Sequence, residues 1–569
     1  MFFRHIHVIA LALPLLLGCR EAGQGFLSPG STVLTGMAGG VARDCIEGRI
    51  KSFIDSPQSP AVIMFSPENR TGNPDSWKGE HAGKWLCAAS TMYRMTGDPD
   101  LGKSIASVAG GLVSWQDEDG YLGCCLPGAR FCDEPLFPAT NVGWDLWNCA
   151  YTMKGLAEAS VALDREDLLD AACRIAGLMY RTFVEEGRSI AETGHHAGLA
   201  SLGLIEPVSE LYELRPDSRL KALAERCMDE MGSAPGLGLM QILEGGQDLA
   251  LAGDGKIYET IRCLTGLARW ARLAGDRRLL RSCLNGWENI VRGHLTPCGG
   301  PWGGVNVHAE VFNRDCCFSP AQVAETCSSM EWMNFNAELM RSLPEARFAE
   351  EIEKTYYNAI LPARKADGHR WVYYIRTNGD VTTGHEWSCC WSSGTMALGN
   401  IAGMVFSHSS RALRVNVYAG ATVCDGGFKM AMEGDYAHTG EVRFRILESS
   451  GRKELQFRKP CWADSWTAEL GGSPVGMAEG DGYLGIVRRW KPGDEIVLRF
   501  PVETREIRRS VRYIADGKFD IRLVKRVEEY AAYARGPLVL CNGPEGKLPL
   551  CDYLPFTDEP GVEIWTRVQ

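Results

Sequence analysis

The chain has 569 residues, which is too long for one ordinary hydrophobic core, so two large domains are expected. Hydrophobic residues make up 45% of the chain and charged residues 23%, values typical of a soluble globular protein. The formal net charge of −11, with no basic stripe, argues against a nucleic-acid partner, because phosphates are bound by clustered Lys and Arg.

The N-terminus differs from this globular composition. Arg4 precedes an apolar run over residues 8–17, which suits an export signal and is too short to span a bilayer. Leu16-Leu17-Gly18-Cys19 resembles a bacterial lipobox, in which the cysteine is acylated and becomes the mature N-terminus. We therefore predict a lipoprotein signal peptide over residues 1–19, with an ordinary cleaved signal peptide as the alternative. Both imply an exported protein, periplasm-facing or on the cell surface, attached to a membrane only through a lipid on Cys19.

The chain contains 21 cysteines, and an even number remains once Cys19 is set aside. In an oxidising compartment such a count suggests disulfides. Three vicinal pairs stand out: Cys124-Cys125, Cys316-Cys317 and Cys389-Cys390. Adjacent cysteines rarely bond to each other because the resulting ring is strained. Disulfides to other partners and buried thiols both stay open, and the sequence does not assign the connectivity.

From Trp77 to Phe406 the apolar residues recur three or four positions apart, as amphipathic helices require. This spacing predicts helices over 78–96, 101–115, 145–163, 167–186, 204–214, 218–231, 256–274, 278–293, 321–342, 347–361 and 391–406. Similar short turns join several of them in pairs, ending at leucines 101, 168, 220 and 279. In these turns an acidic or small residue caps the second helix.

Helical hairpins repeated at this period favour an (α/α)6 barrel of about twelve helices in two rings, and an open α-solenoid is the alternative. Glycine-rich loops, such as residues 119–123 and 298–304, lie between the hairpins. Loops gathered at one end of a barrel would form a sugar site. We assign residues 20–406 to this catalytic domain, with its first residues as a candidate extra strand of the domain that follows.

Beyond residue 407 the period changes to two. Leu413, Val415 and Val417 alternate with polar residues, and turns such as 491–494 separate similar runs. This alternation is typical of an antiparallel β-sandwich, which we assign to residues 407–569. The domain has no cluster of reactive side chains, so we expect it to be structural or to act as a lid on the barrel.

Two short segments of the helical region combine the carboxylate of Glu325 with three thiols. They are Ala324-Glu325-Thr326-Cys327 and His385-Glu386-Trp387-Ser388-Cys389-Cys390-Trp391. Such a donor set suits tetrahedral Zn²⁺. Glu325 and Cys327 are two residues apart and would share a metal where the chain is extended, just before a helix. Cys389 and Cys390 also precede a predicted helix, whose N-terminus favours thiolates. The alternative is that these cysteines are core thiols or halves of disulfides.

The residues resemble glycoside hydrolase family 127, the β-L-arabinofuranosidases, and the related family 146. The likeness covers nearly the whole chain, and Glu325-Thr326-Cys327 together with Cys389-Cys390 is its specific part. The looser motifs are Gly79-Glu80-His81-Ala82-Gly83-Lys84-Trp85-Leu86, Asp119-Gly120-Tyr121-Leu122-Gly123, Gly299-Gly300, Tyr357-Asn358 and Arg535-Gly536-Pro537-Leu538-Val539. The resemblance implies an (α/α)6 barrel followed by β-sandwich domains.

The resemblance also implies roles for particular residues. It implies that Zn²⁺ is held by Glu325, Cys327, Cys389 and Cys390, and that Cys389 is the nucleophile. Glu310 matches the family's general acid/base, while Glu353 and Tyr373 match two residues that line its sugar pocket. Retaining glycosidases need a nucleophile on one face of the anomeric carbon and a proton donor on the other. A zinc-bound thiol stays deprotonated, so Cys389 would attack and leave as a thiolate.

The chain departs from the family where the sugar is contacted. The arabinofuranosidases have His-Glu-Leu-Tyr where this chain has Trp144-Asp145-Leu146-Trp147, and a family histidine is replaced by Glu259. A third family histidine has no clear counterpart, because His195 and His196 are out of register. We expect Trp144, Glu259 and His81 to contact a different sugar. A sugar with a carboxylate is one candidate, which His81 and Lys84 would bind, although such a histidine is more often simply hydrogen-bonded within the protein.

Three hypotheses follow. The leading one is an exported, zinc-dependent retaining glycosidase with a cysteine nucleophile, acting on an oligosaccharide or glycoside. A second is a hydrolase or lyase that uses carboxylates such as Glu310 and Asp145, with structural cysteines. A third is a glycan-binding lipoprotein without catalysis.

Overall fold

A computed structural model describes residues 25–27, 30–133, 143–304, 309–379, 382–408, 412–514, 524–541 and 562–568. The predicted signal peptide and Cys19 lie outside these described residues. Among the described helices, none has the length and apolar character needed to cross a membrane. All 19 described cysteines are free thiols, so the structure contains none of the disulfides that were considered for them.

Twelve helices form two concentric rings, as the (α/α)6 prediction required. The inner ring consists of α2 (Glu80–Thr96), α4 (Asp145–Leu163), α6 (Ile205–Leu214), α8 (Ile257–Ala274), α10 (Thr326–Ser342) and α12 (Cys389–Asn400). The outer ring consists of α1 (Gly36–Cys45), α3 (Pro99–Ser114), α5 (Glu166–Tyr180), α7 (Ser218–Ser233), α9 (Arg277–Gly293) and α11 (Ala346–Thr355). Each inner helix contacts the next one, and α12 contacts α2, so the ring is closed and the solenoid alternative is wrong.

The position of each helix follows from its sequence. Helix α4 is buried over nearly its whole surface, as expected of an element covered on both sides, whereas outer helix α9 buries one apolar stripe. Helices α2 and α4 approach closely at a point where both have a glycine. At Gly83 of α2 there is no room for a side chain, because a Cβ atom would lie 2.2 Å from the Tyr151 backbone of α4. The predicted acidic caps are confirmed by Asp98, Asp217 and Asp276, which accept hydrogen bonds from the first turns of α3, α7 and α9.

The β-sandwich consists of two sheets, with β-strands numbered in chain order. One sheet contains β1 (Gly25–Phe26), β8 (Phe406–His408), β9 (Ala412–Val415), β13 (Arg452–Arg458), β17 (Tyr483–Arg489) and β16 (Ala478–Gly480). The other contains β15 (Ser473–Pro474), β14 (Thr467–Leu470), β18 (Glu495–Arg499), β12 (Glu441–Glu448), β11 (Phe428–Glu433), β10 (Ala421–Asp425) and β2 (Thr32–Leu34). Pairing is antiparallel except between β9 and β13, which are parallel. Strands β1 and β2 precede the barrel in sequence and join one sheet each.

Three smaller sheets complete the fold. Strands β3 (Trp302–Gly303), β4 (Val323–Glu325), β5 (Val372–Arg376) and β7 (Thr382–Thr383) form one, and β6 (Asn378–Gly379) pairs with β22 (Val562–Glu563) in another. The third contains β19 (Thr504–Ile514), β20 (Val524–Arg535), β21 (Leu538–Leu540) and β23 (Thr566–Arg567). The side chain of Asn358 bonds to the backbone of Pro537 and Val539 and so joins this third sheet to the barrel.

A buried ion pair connects the barrel to the sandwich. Glu353 of α11 pairs with Arg458 at the end of β13, and both side chains are inaccessible to solvent. The Glu353 carboxylate also accepts hydrogen bonds from the Tyr418 backbone at 2.8 Å and the Tyr436 hydroxyl at 2.7 Å. Its oxygens are therefore satisfied by sandwich residues, as a buried charge requires.

We predict that Glu353→Ala lowers the free energy of unfolding by about 3 kcal/mol or more, because it leaves Arg458 and two further donors buried without this partner. Chemical denaturation monitored by circular dichroism measures the change. Glu469→Ala is the control: it breaks a half-exposed pair with Arg499 and should cost less than about 1 kcal/mol. Equal losses in the two variants would contradict the role of Glu353 in joining the domains.

Candidate active site

A cavity of about 330 Å³ lies at one end of the barrel. Its lining comes mainly from the first residues of five inner helices, or the residues just before them: Glu80 of α2, Trp144 and Trp147 of α4, Lys256, Tyr258 and Glu259 of α8, Glu325 of α10, and Cys389 of α12. The remaining lining residues are Trp77, His196, Glu310, Tyr373, His385, Trp387 and Ser388. Helix N-termini carry partial positive charge, so this end of the barrel favours carboxylates and thiolates.

The predicted metal ligands converge at this cavity. Glu325 is the last residue of β4, and Cys327 is the second residue of helix α10, which follows directly. Cys389 and Cys390 are the first two residues of α12, whereas the sequence predicted that they precede the helix. The Cys327 and Cys390 sulphurs are 3.4 Å apart, and those of Cys389 and Cys390 are 3.9 Å apart. Glu325 Oε1 lies 3.6 Å from the sulphur of each of Cys389 and Cys390.

These separations fit the donor geometry of a tetrahedral metal site. With Zn–S bonds of about 2.3 Å, two sulphur ligands are about 3.8 Å apart, and a sulphur and a carboxylate oxygen are about 3.6 Å apart. All four ligand atoms lie within 4.8 Å of one another. One carboxylate and three thiols could therefore hold a metal ion such as Zn²⁺ with little rearrangement.

The cluster also has unequal proton affinities. Hydrogen bonds from Cys327 and Cys390 lower the pKa of the Cys389 thiol well below its ordinary value, outweighing burial. Burial raises the pKa of Cys327 and of Cys390 well above the usual range. Burial, and then the nearby Glu310 carboxylate, also raises the pKa of Glu325. Cys389 is thus the sulphur that ionises first, and a divalent cation would displace the protons from the others.

Glu310 lies on the loop between β3 and β4 and faces the same cavity. Its Oε1 accepts hydrogen bonds from Tyr373 at 3.0 Å and from Tyr374, and its Oε2 is bonded to Lys256. A β-bulge between Val372 and Tyr374 lets two successive tyrosines of β5 reach one carboxylate. Burial raises the pKa of Glu310, but the Lys256 ammonium and the hydrogen bonds outweigh it, and the net pKa is below its ordinary value.

The Tyr373 hydroxyl connects the Glu310 carboxylate to the Cys389 thiol. It lies 3.0 Å from Glu310 Oε1 and 3.6 Å from Cys389 Sγ. Cys389 and Glu310 therefore flank one hydroxyl in one cavity. A carboxyl group and an ionisable thiol placed in this way can act as proton donor and nucleophile on one bound molecule.

Aromatic and acidic residues complete the cavity, among them Trp144 and Glu259, for which the sequence predicted contact with the sugar. Trp144 is half-buried and stacks on His195 with ring centroids 4.6 Å apart. Glu259 is buried, and within the described chain its Oε2 makes no hydrogen bond, Lys256 Nζ being 3.9 Å away. Such an oxygen can accept a hydrogen bond from a ligand hydroxyl.

Two predicted substrate contacts do not reach the cavity. Both ring nitrogens of His81 are engaged, Nδ1 with Ser392 at 2.8 Å and Nε2 with the Trp387 carbonyl at 3.1 Å. Burial lowers the pKa of His81 to about 3, so it is a neutral structural residue. Glu353 lies at the junction of barrel and sandwich. The prediction that these two residues contact the sugar is corrected accordingly.

Asp145 of the second hypothesis and Lys84, named as a ligand for a substrate carboxylate, are also away from the cavity lining. Asp145 is buried and accepts hydrogen bonds from the Tyr121 hydroxyl at 2.8 Å and the Phe131 backbone at 3.1 Å. Lys84 is buried 3.0 Å from Glu80, with its ammonium near the rings of Tyr151 and Tyr258. A carboxylate mechanism through Asp145 and a substrate carboxylate bound by Lys84 are therefore not supported.

Sequence reasoning missed several cavity residues. Lys256, the partner of Glu310, is three residues before Glu259 and could have been noticed as a cation at the start of the same helix. Glu80 precedes His81 in the motif already singled out, and His385 and Trp387 belong to the Cys389-Cys390 segment. No pattern in the sequence points to Trp77, which is exposed at the cavity and lies close to the backbone of Trp387.

The barrel, the sandwich and this paired acid and thiol site define an (α/α)6 enzyme of the glycoside hydrolase class. The chain belongs to the GH127 family. The family model for "Beta-L-arabinofuranosidase, GH127 catalytic domain" matches residues 48–403, and the model for "Beta-L-arabinofuranosidase, GH127 middle domain" matches residues 412–502. It is thus a β-L-arabinofuranosidase-like glycoside hydrolase.

Individual relatives are distant. A non-reducing end β-L-arabinofuranosidase of Bifidobacterium longum subsp. longum is 23% identical over 514 residues, covering 80% of this chain and 74% of the relative. The solved structure of a GH127 β-L-arabinofuranosidase from Geobacillus stearothermophilus T6 has a TM-score of 0.70 at 20% identity, covering 90% of this chain and 86% of that one. The GH127 β-arabinofuranosidase BT3674 has a TM-score of 0.72 at 17% identity, covering 97% and 99%. At these identities the structural likeness supports the fold.

Proposed function

We propose that this protein is a zinc-dependent retaining glycosidase with Cys389 as nucleophile and Glu310 as general acid/base. The observation that carries the proposal is the arrangement around Tyr373, whose hydroxyl lies between the Cys389 sulphur and the Glu310 carboxylate. The zinc would be held by Glu325, Cys327, Cys389 and Cys390. When bound, Zn²⁺ supplies the charge that keeps these thiols deprotonated.

The first half of the reaction forms a bond to sulphur. The Cys389 sulphur attacks the anomeric carbon, the glycosidic C–O bond breaks, and Glu310 gives its proton to the departing oxygen. The product is a thioglycosyl enzyme and a free alcohol. In the second half Glu310, now ionised, takes a proton from water, whose oxygen attacks the anomeric carbon and displaces the Cys389 thiolate. Two inversions retain the configuration of the sugar.

Tyr373, Tyr374 and Lys256 control the proton on Glu310. The Lys256 ammonium and the tyrosine hydroxyls stabilise the carboxylate form that the second half-reaction uses. Protonation of Glu310 for the first half-reaction requires that this stabilisation be weakened when the substrate enters. Once the thioglycosyl bond has formed, the Cys389 sulphur no longer carries a negative charge.

The sugar differs from that of the arabinofuranosidases and is neutral in our proposal. Four carboxylates line the cavity, those of Glu80, Glu259, Glu310 and Glu325, and its lining lysine Lys256 is already bonded to Glu310. A substrate carboxylate would meet the Glu310 carboxylate and the readily ionised Cys389 thiol there, and this repulsion opposes binding. Hydroxyl groups can donate to Glu259, while Trp144 offers a flat face to the sugar ring. We therefore propose that the substrate is a neutral sugar rich in hydroxyl donors and not a sugar with a carboxylate.

The lipobox-like segment ending at Cys19 supports an exported protein held at a membrane by an N-terminal lipid. Such a location suits an enzyme that acts on plant-derived oligosaccharides outside the cytoplasm. Its substrate would be an oligosaccharide or another glycoside, and its attachment to the membrane would depend on the acylated cysteine.

We predict that Cys327→Ser and Glu325→Ala each lose the zinc of this cluster together with activity, because loss of a ligand lets Cys389 protonate. Elemental analysis should give about one zinc fewer per chain than the wild type. Cys424→Ser, which changes an exposed thiol of the sandwich, is the control and should keep both zinc and activity. Full activity in either ligand variant after zinc is lost would refute the assignment.

The roles of Cys389 and Glu310 can be separated with two substrates. Cys389→Ser should stop turnover of all glycosides, because a serine hydroxyl at neutral pH is a poor nucleophile unless activated. Glu310→Gln should slow alkyl glycosides far more than aryl glycosides, whose leaving groups need little protonation. Steady-state kinetics on matched aryl and alkyl glycosides of the same sugar provide the measurement. Equal losses on both in Glu310→Gln would exclude Glu310 as the acid.

We predict that kcat/KM for an unmodified β-L-arabinofuranoside is lower than for the best glycoside of another neutral sugar by on the order of a hundred-fold or more, since two unmatched buried polar contacts each cost about 1–3 kcal/mol. Glu259→Gln should lower kcat/KM for that best substrate by about ten-fold or more. Glu192→Gln changes an exposed carboxylate outside the cavity lining and should have no effect. Efficient cleavage of the arabinofuranoside by the wild type would show that these substitutions do not alter specificity.

A further inference from the structure

A second group of metal-ligand side chains lies outside the cavity. It consists of Asp248, His294 and Cys316, which come from three separate segments of the chain. Asp248 precedes the short 3-10 helix Leu249–Leu251, His294 follows helix α9, and Cys316 ends the 3-10 turn Arg314–Cys316. None of the three belongs to the cavity lining or to the glutamate and cysteine cluster.

Their ligand atoms converge on one point. His294 Nε2 lies 2.7 Å from Asp248 Oδ1 and 3.7 Å from Cys316 Sγ, and one ligand atom from each residue lies within 4.8 Å of the others. In a zinc site with bonds of about 2.0 Å to nitrogen and 2.3 Å to sulphur, those two ligands are about 3.5 Å apart. A nitrogen and a carboxylate oxygen would be about 3.3 Å apart, so Asp248 would move outward by about 0.6 Å when a metal binds. His294 is fully buried, whereas Asp248 and Cys316 are partly buried, so the point is accessible from one side.

Asp248 and Cys316 both approach the same ring nitrogen of His294, and this favours a metal ion over a hydrogen-bonded relay. A neutral imidazole offers at Nε2 either one proton or one lone pair, so Asp248 and Cys316 compete for it and cannot both form a full-strength hydrogen bond with it. A nucleophilic relay of cysteine, histidine and aspartate would use the two different nitrogens of the ring. A metal ion at this point would instead accept a lone pair from each of the three side chains.

Neighbouring groups organise these ligands. The Asn289 side chain donates to Cys316 Sγ at 3.9 Å and accepts from the Leu249 backbone at 3.1 Å, connecting two of the segments. Asp315 and Cys316 both have left-handed backbone conformations, with φ of 59° and 50°. Such conformations are costly for residues other than glycine and are retained where surrounding contacts fix them.

We propose that Asp248, His294 and Cys316 form a second metal site that binds Zn²⁺ or a chemically similar divalent ion, with water as the remaining ligand. The donor set of nitrogen, sulphur and oxygen is the one that Zn²⁺ accepts in proteins. This proposal rests on the geometry of these residues and does not depend on the proposed function.

The site would fix the loop that carries Glu310. On one side of that loop, the Ile257 backbone donates to the Glu310 carbonyl at 2.9 Å, and the Phe312 backbone donates to the Gly255 carbonyl at 2.9 Å. On the other side, Phe312 packs on His294 with ring centroids 4.7 Å apart. A metal bound to Cys316 would tie the end of the loop to the barrel. Its role is therefore structural, at a distance from the reacting atoms.

The test compares metal content in tag-free, full-length variants after dialysis against zinc and then against metal-free buffer. Cys316→Ser should contain about one zinc fewer than the wild type, and Cys327→Ser also about one fewer. Cys317→Ser is the matched control, because Cys317 is the adjacent, equally half-buried thiol that is not part of the group; it should retain the wild-type content. Asp248→Asn should lower the content as Cys316→Ser does, in case one variant folds poorly.

A second measurement uses the Cys327→Ser background, in which the other cluster no longer contributes. There, Co²⁺ should give a thiolate-to-metal absorption band, and zinc should raise the thermal unfolding temperature; both effects should vanish when Cys316→Ser is added. The proposal is overturned if Cys316→Ser keeps the wild-type zinc content, or if Cys327→Ser alone removes all of it. Unchanged zinc in Cys327→Ser together with loss in Cys316→Ser would instead contradict the proposed function and leave this site supported.

Discussion

The direction of the inner helices determines where the chemistry of this protein lies. Five of the six inner helices begin at the same cavity, and their N-terminal dipoles give that end of the barrel a positive potential. Four carboxyl groups and the readily ionised thiol of Cys389 are collected there, and the helix dipoles offset part of the repulsion among those that are ionised. The opposite end of the same helices has cations near their C-termini, such as Arg269 and Arg272, which pair with Glu338. The barrel thus separates charge along its axis, and the reactive groups occupy the end where anions are stabilised.

The accessory elements hold this arrangement in place. Strands β4 and β5 pair so that Glu325 and Tyr373 approach α12, and the Thr326 hydroxyl bonds to the Val372 carbonyl at 2.8 Å. The sandwich fixes the outer ring through Glu353 and Arg458. Among the described residues, the sandwich contributes contacts to the barrel and none of the residues that line the cavity.

The sequence allowed the barrel, the sandwich and the glutamate and cysteine cluster to be predicted, because periodicity and short motifs are local properties. It did not predict α1, whose glycine-rich sequence has a weak helical pattern, or the parallel pairing of β9 and β13, which depends on distant segments. The prediction that His81 contacts the sugar failed for a related reason, since the neighbouring Glu80 lines the cavity instead. Adjacent residues of a helix point about 100° apart, so a motif identifies the segment but not the side chain that reaches the cavity. Lys256 was missed because its partner Glu310 lies on a loop 54 residues away.

Glu259 also affects the proton affinity of Glu310, through the lysine that lies between the two carboxylates. Lys256 lies between two carboxylates: it is bonded to Glu310 and is 3.9 Å from Glu259. Although burial lowers it, the pKa of Lys256 is held well above its ordinary value by Glu259, Glu325 and Glu310, so the residue is a cation. If a neutral imidazole replaced Glu259, the Lys256 ammonium would be attracted to Glu310 and no longer to residue 259. With Glu259 present, the ammonium is attracted to both, which weakens its hold on Glu310 and makes protonation of that residue easier. A hydroxyl that donates to Glu259 would reduce this competing attraction, so the residue proposed to bind the sugar would also adjust the proton affinity of Glu310.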